Sequence, residues 1–514
     1  MEIFDIALTS STALLLLSTY GITFVSKGKP IFLVMVCIFL GVHLNFEGWR
    51  WQLVPIYTLA LLLLGWSMHL RLRNVPSFIA SQQGIVKPSA SKLLRILSFA
   101  VCSVMLVLSL VSSYFLPMFV LPAPSGAHLV GTTDLHFIDQ SRSETETIDP
   151  SDIRELMVTA WYPAELESES LAPYWPNAEL YSRYFLDFAG PFSFFLSHLG
   201  NIDSNAYQDA RVAESDGAFP VLIFSHGKGL FSRQSTVLME ELASHGYVVF
   251  SIDHSYWNML SVFPDGRLVS SNQIDVEVDI ESDSPLVERL YKQLTDSRDV
   301  EEKKRLIEEM IKIAPKTMQV ERHSLDVWSQ DQRYILDELA SWSSEGIDNR
   351  FKNKLALDRV GVFGFSLGGK ATIETCSIDH RCSAGINLDG FSLLSPGAAP
   401  QTSPFLTMAN MGNTMSDIIH FDAEGPSHFV LVPETEHMNF MDASMYTRLF
   451  KDIGMVGAVD SDRMQNLTKD YVLAFFDRYL KPSSTQSLQA LSSRYTELEL
   501  LSRNVEAYDD AANQ

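Results

Sequence analysis

Cysteine is scarce in this chain, with four in 514 residues. That excludes the disulfide framework that staples small secreted domains. Cys37 and Cys102 fall within apolar stretches, and only Cys376 and Cys382, six apart, leave room for one bridge or for two buried thiols. Basic residues are also few, 39 Lys+Arg against 62 Asp+Glu for a net charge of −23, which disfavours a nucleic-acid partner. No internal repeat is visible. Charge of either sign is missing from four stretches near the N-terminus, at about residues 6–26, 30–46, 51–70 and 96–118.

A bilayer-spanning helix needs about 20 mostly apolar residues. The first, third and fourth stretches meet that length, whereas the second is short and carries His43. Four such segments close together predict an all-α transmembrane region over residues 1–122. A cleaved signal peptide fits poorly, because the first segment lacks a basic leader and more spans follow it. Lys27 and Lys29 lie between the first two spans, and Arg71, Arg73, Lys87, Lys92 and Arg95 between the last two. The positive-inside rule then puts those two loops in the cytoplasm and everything after residue 122 outside. The chain is thus expected to be an integral membrane protein with an extracytoplasmic soluble domain. Residues 1–122 carry 8 basic and 3 acidic residues, so the acidity belongs to that outer part.

Pro122-Ala-Pro-Ser-Gly126 reads as a linker. Runs at 156–162, 221–224, 247–252, 359–363, 385–388 and 429–432 are continuous β-branched or aromatic sequence, the mark of strands buried on both faces. Helical patterns alternate with them, including 234–244, 324–341 and 470–480. Residues 123–481 are therefore expected to be an α/β domain with a mostly parallel sheet covered on both faces. Two insertions interrupt the alternation and are expected to cap it. One, near 168–210, is dense in aromatics such as Tyr174, Trp175, Phe192, Phe194 and Phe195, which either fill core or face lipid. The other, near 281–315, is a charged helical hairpin with Val300, Leu306, Ile307, Met310 and Ile313 as its apolar stripe. Residues 482–514 read as a polar tail.

The most specific motif is Gly364-Phe365-Ser366-Leu367-Gly368-Gly369, between the apolar run Val360–Phe363 and a helical segment. A strand, a sharp turn and a helix with serine at the apex form a nucleophile elbow, whose crowding requires small residues two before and two after the serine. A serine hydroxyl needs a base within reach and a carboxylate to orient that base. Loops directly after strands offer Asp389 and His437, giving the order Ser366, Asp389, His437. The alternatives are weaker. His254 precedes the serine, His420 and His428 lie before or at the start of the last strand, and Glu434, Glu436 and Asp442 crowd the base's own loop. Acyl transfer also needs donors for an oxyanion. The Leu367 amide is one candidate. The Lys228 amide, in Ser225-His-Gly-Lys-Gly229, is the other, with His226 shaping the loop.

Together with Leu242-Ala-Ser-His-Gly-Tyr247, Ile386-Asn-Leu-Asp389 and His437-Met-Asn-Phe440, these motifs resemble the plasma-type platelet-activating-factor acetylhydrolase family and its bacterial relatives, over roughly residues 125–481. The resemblance implies an α/β-hydrolase fold and a Ca²⁺-independent serine esterase that removes short or oxidised acyl chains from phospholipids. No cofactor and no metal is implied. Relatives also cleave simple esters and polyesters, and the four spans are not part of the family pattern. The expected function is a membrane-anchored serine ester hydrolase acting on lipid-like esters through an acyl-enzyme. A general carboxylesterase or polyester hydrolase is the nearer alternative. A non-catalytic adhesion or sensor domain ranks lower, since such domains usually lose the serine or histidine.

Overall fold

The structure is a computed structural model that describes residues 3–21, 25–73, 92–166, 170–271, 285–297, 299–313, 315–344, 350–390, 400–413, 415–481 and 487–506. The middle of the basic loop with Lys87, the start of the charged hairpin and the last eight residues of the tail lie outside these. The chain divides into two compact units. One is Met1–Phe119 with Tyr446–Leu449, and the other is Val120–Met445 with Phe450–Gln514.

The first unit contains the helices Ile3–Thr19, Lys29–Phe46, Val54–Arg73 and Lys92–Phe115. Among the described residues, three helical stretches, Ser26–Phe46, Trp51–Leu70 and Lys92–Phe115, are long and apolar enough to cross a membrane. The first helix has only 17 residues and is followed by Gly21 at φ +85°, a conformation that stops a helix. The ranking expected from sequence is therefore reversed, with the stretch around His43 the longer one. Leu8, Leu15, Val36, Ile56, Leu59 and Leu63 pack inward, whereas Ile31, Val34, Leu61, Leu62, Val101 and Val104 stay exposed. Hydrophobic residues all round a helix suit a lipid surround. An ionisable network forms near the helix ends. Arg50 Nη1 donates to Asp5 Oδ2 at 2.9 Å, and the buried His43 sits between Glu47 (2.7 Å) and the Tyr57 hydroxyl (2.6 Å).

The second unit is built on an eleven-stranded sheet. In chain order the strands are β1 (Leu129–Ser143), β2 (Ile153–Ala164), β3 (Leu171–Pro173), β4 (Asp203–Gln208), β5 (Phe219–Ser225), β6 (Val248–Asp253), β7 (Ser261–Val262), β8 (Leu268–Val269), β9 (Leu355–Phe365), β10 (Cys382–Leu388), β11 (Phe405–Asn410), β12 (Ser427–Val432) and β13 (Glu499–Arg503). β7 and β8 form a separate pair, and the large sheet runs β13-β12-β11-β10-β9-β5-β6-β2-β1-β4-β3. β6, β5, β9, β10, β11 and β12 are mutually parallel. β2 joins β6 antiparallel, and β13 joins β12 antiparallel. β5, β6 and β12 are buried at every position, as apolar runs without alternation predict. Helices Thr236–Ser244, Pro315–Ser344, Leu367–Ile378 and Ser461–Leu480 flank the sheet; the last buries Tyr471, Val472, Phe475 and Phe476. A disulfide joins Cys376 to Cys382, from the end of helix Leu367–Ile378 to the start of β10, with both cysteines buried.

The stretch after Lys481 is more than a tail, because β13 closes one edge of the sheet. In the aromatic insertion Tyr174 and Trp175 are fully buried, and the Phe231 ring meets Trp175 edge-on and Tyr181 at a tilt, each with centroids 5.0 Å apart. Phe192 and Phe194 remain exposed at 56% and 36%, so core and surface roles divide along the segment. The charged hairpin, Pro285–Asp296 and Val300–Ile313, buries Leu306, Ile307 and Met310 against Met415 and Ile418. Its Lys303 is wholly buried and reaches Asp417 at 2.7 Å.

Candidate active site

β9 ends at Phe365 and the helix begins at Leu367, which leaves Ser366 alone at the turn with φ 55° and ψ −118°. Few non-glycine residues tolerate that conformation, and its strain persists only where packing imposes it. A Cβ on Gly364 would lie 2.3 Å from the Gly368 carbonyl carbon, and one on Gly368 would lie 2.1 Å from the Ser225 carbonyl oxygen. The Ser366 amide donates to Leu388 O at 2.9 Å, tying the elbow to β10. The Asn387 side chain, bonded to Gly390 N (2.9 Å) and Gly390 O (2.7 Å), closes the turn that follows β10.

Ser366 Oγ lies 2.9 Å from His437 Nε2, and His437 Nδ1 lies 2.6 Å from Asp389 Oδ2. The three residues proposed from sequence thus form one hydrogen-bonded chain. His437 starts a short 3₁₀ turn, His437–Phe440, fixed by Asn439, whose Oδ1 accepts from Glu436 N and Gly457 N. Its side chain is 43% exposed, while Asp389 is fully buried. The Phe365 ring packs 4.6 Å from the imidazole.

The sequence reading treats the loops of Asp389 and His437 as following consecutive strands. The structure inserts β11 between them. That strand ends at Asn410, whose backbone amide donates to Asp389 Oδ1 (2.9 Å) and whose side-chain amide donates to Oδ2 (2.7 Å). Asn413 Nδ2 adds a third donor at 3.1 Å. These are functional candidates that sequence reasoning misses, and their only signal is the Asn-Met-Gly-Asn turn after a short apolar run.

The other candidates have other partners. His420 bonds Ser427, and His428 bonds Ser502 and Tyr479. His254 is buried against Asp331 and Ser225. Glu436 caps the His437 turn. Asp442 is buried and accepts from the Tyr174 hydroxyl at 2.9 Å, and burial pushes its carboxyl up to about 7.

The Ser225–Gly229 turn abuts the elbow, with Gly368 N donating to His226 O at 3.1 Å. Gly227 N donates to Gln234 Oε1 at 3.0 Å, and Gly229, at φ +69°, donates to Trp257 O at 2.9 Å. Lys228 is at its exposed tip with Nζ 5.6 Å from the Trp257 ring centroid, and Leu367 is the first helical residue, where an amide has no intrahelical acceptor. His226 is buried, with Nδ1 2.7 Å from Gly227 O, a loop-shaping role.

A strained serine between a parallel strand and a helix, on a sheet of this order, defines a serine hydrolase of the α/β-hydrolase fold. More narrowly, the chain belongs to the family described as platelet-activating factor acetylhydrolase, isoform II, whose model matches residues 115–493. It is 25% identical over 384 residues to the platelet-activating factor acetylhydrolase of Bos taurus, which covers 70% of this chain and 77% of the relative. It is 23% identical over 296 residues to a probable 1-alkyl-2-acetylglycerophosphocholine esterase of Arthroderma benhamiae, covering 55% of this chain and 62% of that one. Among solved structures, a ferulic acid esterase from Streptomyces cinnamoneus superposes with a TM-score of 0.56 at 27% identity, over 74% of this chain and 98% of that one.

Proposed function

We propose that the protein is a membrane-anchored hydrolase that removes short or oxidised acyl groups from lipid-like esters. Ser366 Oγ attacks the ester carbonyl while His437 Nε2 takes its proton, and His437 then protonates the leaving alcohol. Asp389 holds the imidazole by Nδ1 and stabilises its charged form. The amides of Lys228 and Leu367 hold the oxyanion, and water resolves the acyl-enzyme by the same steps. The observation that carries this reading is the 2.9 Å contact between Ser366 and His437 with Asp389 directly behind.

Three apolar helices supply the anchor. The basic residues between Arg71 and Arg95 favour a cytoplasmic loop there and hence an extracytoplasmic catalytic unit. The Cys376–Cys382 bridge agrees with an oxidising compartment. A general carboxylesterase is the second reading, favoured by the likeness to a ferulic acid esterase.

The test is a fluorophosphonate probe on the full-length protein, followed by esters of graded chain length in solution and in vesicles. His437→Ala should abolish labelling of Ser366 and Asp389→Asn should depress it strongly. Labelling that survives His437→Ala but not His428→Ala or His254→Ala would mean the base is misassigned. Equal turnover of soluble and vesicle-borne esters favours the carboxylesterase.

A further inference from the structure

Ser225, His254 and Asp331 repeat the bond pattern of Ser366, His437 and Asp389. His254 Nε2 lies 2.9 Å from Ser225 Oγ, and His254 Nδ1 lies 2.8 Å from Asp331 Oδ2. All three are wholly buried. Burial holds the His254 imidazole below its usual range despite Asp331 beside it. Burial also opposes charge on Asp331, yet Arg154, His254 and Arg142 outweigh it and hold that carboxyl well below its usual range.

The bonds fix one set of proton positions. Asp331 accepts from His254 Nδ1–H, so Nε2 carries a lone pair. Ser225 must then donate its proton to Nε2, and its oxygen accepts from Gln332 Nε2 at 2.9 Å. Gln332 Oε1 in turn accepts from the Thr375 hydroxyl at 2.5 Å. The far end is clamped, because Arg154 reaches both Asp331 oxygens (3.2 and 2.6 Å). Trp328 stacks flat on the His254 ring at 3.9 Å. A hydroxyl committed in this way and closed to solvent is not a nucleophile.

What this array touches is the turn before Lys228. Ser225 is the residue from which that turn leaves β5, and the backbone amide of His254 donates to His226 Nε2 at 3.2 Å. Three residues past His254, Trp257 O accepts from Gly229 N at 2.9 Å. The segment His254–Trp257 therefore holds the turn on both sides of Lys228.

The geometry points to Ser225, His254 and Asp331 as a buried positioning relay that fixes the Lys228 amide toward the oxyanion. None of the three is a catalytic residue, since each acts through the turn. The inference rests on the reading of Ser366 as nucleophile and Lys228 as oxyanion donor.

The test uses full-length protein in detergent with two variants. Ser225→Ala removes one hydroxyl. His254→Phe removes both ring nitrogens and keeps the stack on Trp328. The readouts are kcat and KM on a short-chain nitrophenyl ester, and affinity for a trifluoromethyl ketone. Ser366 adds to that ketone as it does to an ester: the Oγ–C bond forms, the carbonyl pair becomes the oxyanion, and the proton passes to His437. Misplacing an oxyanion donor should lower kcat by about 10- to 100-fold and weaken the ketone in parallel, with KM little changed. A merely structural defect would lower the melting temperature and leave kcat per folded molecule and ketone affinity intact, and that result overturns the relay. If His254→Phe does not fold, Ser225→Ala decides alone. Mapping the fluorophosphonate label separates this failure from that of the catalytic reading. A label on Ser366 with unaltered Ser225→Ala kinetics sinks only the relay, while activity surviving Ser366→Ala sinks both.

Discussion

Asn410 grips both oxygens of Asp389. Its backbone amide takes Oδ1 at 2.9 Å and its side-chain amide takes Oδ2 at 2.7 Å. Held in this way, the buried carboxylate is aimed at His437. Hydrogen bonds to a charged group are worth about 1.5–3 kcal/mol each. Asn410→Ala keeps the backbone bond and loses the side-chain one. It is expected to lower kcat/KM by roughly 10- to 100-fold, as that energy converts at about 1.4 kcal/mol per decade. Steady-state kinetics on a nitrophenyl ester checks it, and activity equal to the parent would show that the side chain does not support Asp389.

The elbow predicts opposite effects on activity and stability. Ser366→Ala should abolish turnover and leave melting nearly unchanged, since loss of a triad member costs several orders of magnitude in rate. Ser366→Gly should abolish turnover too, but it also relieves the strain of φ 55°. Strain of this kind costs about 1–3 kcal/mol, partly offset by the extra chain entropy of glycine. Melting should rise by roughly 2 °C. A glycine variant that melts below the alanine one would contradict a strained apex.

Within the aromatic insertion, position decides role. Phe192 and Phe194 are exposed, so replacing either by Ser should leave the melting temperature alone and reduce turnover of vesicle-borne ester if they meet lipid. Trp175 is fully buried against Phe231, and Trp175→Ala should cost about 3–5 kcal/mol. Chemical denaturation and a vesicle assay separate the two. If Phe192→Ser and Phe194→Ser destabilise and leave substrate preference unchanged, the exposed rings are packing residues.

Asp442 makes stability fall with pH. Burial raises its carboxyl to about 7, while the unfolded chain binds its proton near the usual carboxylate value. Between those values the folded state holds the proton and the unfolded state has lost it. Its contribution is therefore fully present below about pH 4, is lost as pH rises toward 7, and stays lost above. Asp442→Asn removes the titration, so the drop in melting temperature from pH 5 to pH 8 should shrink. An unchanged drop would show that the carboxyl is charged throughout.

The elbow was legible because its requirement is local: Gly364 and Gly368 flank the serine within five residues, and nothing distant is needed to read them. The parallel strands were legible because burial on both faces leaves unbroken apolar runs, as in Phe219–Ser225. β11 was not, since Thr407 and Ala409 dilute a six-residue strand, and so its Asn410 stayed hidden. β13 is an edge strand with a mostly unburied pattern and reads as polar tail. Asp331 and His254 are 77 residues apart, on a helix and a loop, and no spacing joins them before the sheet is folded.

Two serines in this unit carry the same bonds to histidine and aspartate, yet only one stands where an ester can arrive. A search by interatomic distance would return both arrays as equals. The difference is access: His437 is 43% exposed and His254 is sealed. For any inhibitor or probe of this protein, selectivity between them is settled before chemistry begins, by which hydroxyl a molecule can reach.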